Sequence, residues 1–180
     1  MYFRGRTLRR SCGCGSCASG RVRKESIMSK RIVTLGTWDG TPIKWIVLKE
    51  SKLGSVVISK DGLFQRQFDS QNRDWPNSDI RAYLNGKFFQ QAFRAEEQKR
   101  IINTIIDGKK TDIFLLSKEE VENWMTENER CCVETWFLRS RHYSGSPLNS
   151  GCIDVVCSGG FGNTWRHSER HIRPAFILDL

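Results

Sequence analysis

The sequence predicts an α+β domain: a small, mainly antiparallel sheet, two or three helices and a long C-terminal loop region. Three observations carry this. Residues 32–59 are short runs of alternating apolar residues broken by turn clusters. The middle of the chain holds helical patterns with N-cap signals. Residues 140–171 are rich in Gly, Ser, Asn and His, with one apolar island, and lie between two apolar strands.

Taken in order, RIVTLGTW alternates and runs into the turn DGTP. IKWIVLKES and SVVISKDG follow, giving a three-strand meander. In NSDIRAYLNGKFFQQAF, Ser78 or Asp79 can cap a helix whose Ile80, Tyr83 and Leu84 share one face. RAEEQKRI continues as a second short helix, INTIID reads as a strand, GKKTD as a turn and IFLLS as a buried strand. SKEEVENWM opens with a Ser117/Glu120 capping box and puts Val121, Trp124 and Met125 on one side. TWFLRS is a strand. IRPAFILDL is the closing strand, with Pro174 marking its beginning or an edge.

The net charge is +9, but it is concentrated. Residues 1–31 hold nine Lys/Arg and one Glu, whereas residues 32–180 hold 20 basic and 19 acidic residues. The folded part is nearly neutral, so total charge gives no support for a nucleic-acid surface on it. Residues 1–30 form a basic, Cys-containing tail too poor in aliphatics to bury a core, and Met28 offers an alternative start. Nucleic acid is expected to bind only there, weakly and with steep salt dependence. Residues 31–180 are expected to be one globular domain. No 18-residue apolar run and no signal-peptide pattern occur, which gives no membrane span and a cytoplasmic default.

Seven cysteines are present. Cys12, Cys14 and Cys17 could share a soft metal, but they lack a fourth ligand. Cys131, Cys132, Cys152 and Cys157 have no C-x-x-C spacing and read as core or loop thiols. His167 and His171 flank Glu169 in an order unlike H-E-x-x-H. No metal and no cofactor is assigned. Neither G-x-S-x-G nor a phosphate loop is present.

Four segments in order, GTWDGTPIKWIVL, WPNSDIRAYLNGKFFQQAF with EEQKRI, DIFLLSKEEV, and WFLRS…IRPAFILDL, make the chain similar to the bacterial family catalogued as domain of unknown function 6273. The resemblance covers residues 32–180. The family usually has Pro-Gly after Leu-Arg-Ser, where this chain has Arg141-His142, and Gly-Val before Arg-Pro-Ala, where it has His171-Ile172. The ending also looks like the C-terminal half of C-type-lectin-like folds, including the formylglycine-generating-enzyme-like group and retroelement variable proteins. That likeness implies long loops displaying a ligand site, hence a binding module. The calcium-site tripeptides and the oxidase motif of those groups are absent.

The candidate ligand-binding residues are therefore Arg141, His142, Tyr143, Asn149, Phe161, Asn163, Trp165 and Arg166. Aromatics beside Arg and Asn suit a protein or a carbohydrate; the other reading has Phe161 and Trp165 tucked back as loop anchors. Arg139 and Arg173, with Asp154 or Asp179 as partner, are expected to form a polar network beneath the site or to touch the ligand themselves. The expected function is non-catalytic recognition. The alternative is an enzyme using Cys152, Cys157 or His167.

Overall fold

The computed structural model describes residues 30–131, 135–143 and 151–180. The tail readings, Cys132 and Asn149 fall outside these residues. Among the described residues, two five-stranded sheets and one hairpin make up the β structure. The first sheet has the order β1-β2-β3-β12-β5, with β1 Ile32–Trp38, β2 Thr41–Ser51, β3 Gly54–Ser59, β5 Ile101–Ile102 and β12 Ala175–Leu178. The second has the order β10-β9-β8-β11-β4, with β4 Phe64–Gln67, β8 Thr135–Arg141, β9 Cys152–Cys157, β10 Gly160–Trp165 and β11 Glu169–Ile172. All pairings are antiparallel except β8 with β11.

The meander β1–β2–β3 forms where the alternation placed it. Its first strand carries a register shift between Thr34 and Thr37. Gly36 sits in this shift with φ +71°, and a Cβ there would lie 2.5 Å from the carbonyl oxygen of Ala92. Gly36→Ala combines left-handed strain with a backbone clash. It is expected to cost about 2–4 kcal/mol, read as a lowered denaturation midpoint.

Ser78 caps α1 (Asp79–Tyr83) by accepting from the Arg81 N–H. A π-helical turn, Leu84–Phe88, and α2 (Phe89–Ala92) continue the same rod. The turn brings Asn85 to the chain at 111–113. Its side-chain oxygen accepts from the N–H groups of Asp112 and Ile113, and its amide donates to the Ile113 carbonyl. Helix α3 is Ala95–Gln98; α4, Lys118–Trp124, has the predicted Ser117/Glu120 capping box; α5, Glu127–Arg130, has a second box from Thr126 and Glu129. One buried cluster draws on both sheets and on α1: Trp45, Val57 and Phe176, Phe137, Ile153 and Ile172, and Ile80. Among the described residues no helix is long and apolar enough to cross a membrane.

Three expectations need correction. Residues 140–171 are not mainly loop: β9, β10 and most of β11 lie inside them. Glycines and polar residues hid β10, whereas the buried island CIDVV became β9, an interior strand between β8 and β10. IFLLS is buried but makes only one isolated bridge, Phe114 to Ala175. INTIID divides into β5 and β6 (Thr104–Ile106). The latter pairs with β7 (Lys109–Thr111) around Asp107 and Gly108, both at positive φ, so the turn precedes the two lysines instead of containing them.

Candidate functional site

The end of β8 turns its charged residues toward the start of α4 and the segment 74–76. Together they line an open groove of about 700 Å³. One wall carries Arg139, Ser140, Arg141 and Tyr143; Asp74, Trp75 and Pro76 form a second; Asp107, Ser117, Lys118, Glu119 and Glu122 complete it. The link between β8 and α4 is direct, because the Lys118 N–H donates to the Ser140 hydroxyl at 2.8 Å.

Arg139 and Arg141 alternate along one strand yet behave differently. Arg139 is nearly buried, its side chain 10% exposed. Its Nη2 donates to Glu120 Oε1 at 2.7 Å, and its Nη1 donates to the Leu115 carbonyl at 2.9 Å and to the other Glu120 oxygen. A forked guanidinium held this way is a strut between β8 and α4. Arg141 is exposed, stands 3.7 Å from Asp74 and lies 5.6 Å from the Tyr143 ring centroid. Tyr143 is 84% exposed, so the rim of the groove presents a free aromatic ring beside a cation.

The predicted polar network does not form as one unit. Arg139 has Glu120 as its carboxylate partner, with Asp107 at 3.4 Å. Arg173 is fully buried elsewhere, against the carbonyls of Ser59, Lys60 and Glu129. Asp154 instead accepts from His142, with Nδ1 to Oδ1 at 2.8 Å. His142 Nε2 lies 3.3 Å from the Asn163 amide nitrogen. Asp154 on β9, His142 just after β8 and Asn163 on β10 thus form a chain, in which the carboxylate orients the imidazole.

Arg166 also departs from the expectation of ligand contact. It is 2% exposed, with Nη2 on Asp74 Oδ1 at 2.6 Å and Nη1 on the Asn72 carbonyl. It therefore fastens the turn after β10 to the segment 69–74. Asp74 stands between the two arginines, one oxygen toward Arg166 and the other toward Arg141. Phe161 is half-buried under Lys118 and Arg130, at 5.4 and 5.1 Å from its ring centroid. Trp165 is 46% exposed and stacks on His167, with centroids 6.0 Å apart.

The two cysteines of the enzyme alternative lie apart. Cys152 and Cys157 lie at opposite ends of β9, about 16 Å apart at the usual strand rise, the first buried and the second exposed. Among the described residues no group of three or more His, Cys, Asp or Glu is placed to hold a metal ion.

Sequence reasoning missed Asp74, Trp75, Lys118, Glu119 and Glu122. A signal existed for two of them. Once Val121 and Met125 take the core side of α4, Glu119 and Glu122 are left exposed, whereas Lys118, three residues before Val121, shares the side of the core residues. Asp74 and Trp75 enter only through the docking of Arg166, which nothing local encodes.

The family model described as "Domain of unknown function (DUF6273)" matches residues 44–180. No curated protein and no solved structure matches the chain.

Proposed function

The chain belongs to this family of unknown function, and from the groove we propose that it is a recognition module that binds a segment of another protein without converting it chemically. The observation that carries this is the contrast along β8. Arg139 is buried against Glu120, while Arg141 and Tyr143 stand exposed at the rim of the groove, Arg141 held only loosely by Asp74 at 3.7 Å. Exposed Tyr and Arg are the side chains that dominate protein-binding hot spots. The lining favours a polypeptide over a carbohydrate, because Asp74, Glu119 and Glu122 oppose Lys118 and Arg141. A mixed-sign groove selects a partner with complementary charges and fixes its register.

The test is capture of a partner by the full chain beside an Arg141→Glu/Tyr143→Ala double variant. Both side chains are exposed, so the thermal midpoint should stay within the range of neutral surface changes, about 0.5 kcal/mol. Partner affinity should fall by about 2 kcal/mol or more, roughly thirtyfold in Kd. Equal capture by both proteins would place recognition elsewhere.

A further inference from the structure

The four edges of the two large sheets are not alike. On the first sheet, β1 is broken by its register shift and β5 is two residues long. On the second, β4 has four residues and carries Arg66. Short length, bulges and charge are the ordinary means of blocking strand addition at an edge. β10 has none of them. It runs six residues, GFGNTW, in unbroken register with β9 and contains neither a charge nor a proline. Among the described residues, no strand pairs with its outer side.

The hairpin turn sets which groups face out. Ser158 and Gly159, both at positive φ, form a two-residue turn between Cys157 and Gly160. Such a turn makes Cys157 and Gly160 a hydrogen-bonded pair, and the pattern alternates from there. Gly160, Gly162 and Thr164 therefore bond to β9. Phe161 and Asn163 direct their N–H and C=O groups outward, and Trp165 its N–H, while the Trp165 carbonyl accepts from the Ser168 N–H at 3.0 Å.

We propose that β10 pairs antiparallel with β10 of a second copy of this chain, about a two-fold axis at Asn163. In this register Asn163 faces its own symmetry mate, and Phe161 faces the partner copy's Trp165. Asn163 then exchanges both its bonds with its mate, and the Trp165 N–H reaches the partner copy's Phe161 carbonyl, the Trp165 carbonyl staying with Ser168. The half-exposed Trp165 ring gains an aromatic neighbour across the strands. Lys118 and Arg130, already over Phe161, gain a second ring. A neutral strand meets itself without like-charge repulsion, and residues 32–180 as a whole carry a net charge of only +1.

Light scattering on the full-length chain over a concentration series tests this. The expected mass approaches twice the 20.8 kDa of one chain. Asn163→Pro deletes an outward N–H and no β9 hydrogen bond, and it should restore the monomer mass. Trp165→Lys is the second variant. It places a cation against the partner's Lys118 and Arg130, and it should do the same while the far-ultraviolet circular dichroism stays unchanged. A wild-type chain that stays monomeric throughout, or a dimer that survives both variants, overturns the proposal.

Discussion

Arg173→Met is expected to lower stability by about 3–5 kcal/mol, because several buried carbonyls lose a charged donor at once. Arg173 lies where the chain leaves β11 in one large sheet and enters β12 in the other. Its Nε and Nη2 donate to the Ser59 carbonyl at 3.1 and 2.8 Å. Nη2 also reaches the Lys60 carbonyl at 3.1 Å, and Nη1 the Glu129 carbonyl at 3.0 Å. The guanidinium carbon stands 4.7 Å from the Trp136 ring centroid. One side chain therefore joins the end of β3, helix α5 and the strand crossover. Methionine matches much of its length but leaves these carbonyls without that donor, and each buried unsatisfied group costs about 1–3 kcal/mol. Arg173→Lys keeps the charge and loses the planar fork, so it should recover only part of the loss. Urea midpoints for the three proteins measure this. A midpoint for Arg173→Met equal to wild type would contradict the assigned role.

The second large effect is expected at Asp69. This fully buried carboxylate organises the segment that leads into α1 and backs the groove at Asp74 and Trp75. It accepts from the backbone N–H groups of Gln71, Arg73 and Asp79, and from Arg73 Nε at 3.0 Å. Burial alone would push its proton affinity up. The hydrogen bonds from Arg73, Asp79 and Gln71 together outweigh burial and hold it below the ordinary carboxylate value of 3.8. A folded-state value below the unfolded one adds stability that is fully present above the unfolded pKa. That stability is lost as pH falls from about 4 through the folded value. Asp69→Asn puts an amide where these donors converge. It should cost about 2–4 kcal/mol at neutral pH and flatten the acid limb of the stability curve. Asp79 shifts the same way, held down by the Ser70 hydroxyl and N–H and by Arg73, so some acid sensitivity should survive in the variant.

The parts of the fold that were legible obey local rules. Alternation marked the meander, and side-chain oxygens at Ser78 and Ser117 marked two helix starts. The buried run in β8 and the break at Pro174 also came through. What stayed hidden depends on distant partners. β10 reads as loop because Gly160, Gly162 and Asn163 have little intrinsic strand preference, and its pairing with the buried β9 decides the matter. At the site, Arg141 and Tyr143 are exposed, as residues in a polar stretch are expected to be. Arg166 was misjudged because a charged residue in a polar stretch reads as exposed, and nothing nearby reveals that Asp74 waits for it. Arg139 found its carboxylate on α4, a partner offered by the capping box already visible in the sequence.

The central claim is that the groove beside Arg141 and Tyr143 receives a partner's polypeptide. Amide hydrogen exchange, with the captured partner present and absent, tests it most directly. Binding in the groove should slow exchange at the start of α4, residues 117–122, and at residues 139–143. Protection confined to the first sheet, with these two segments unchanged, would contradict it.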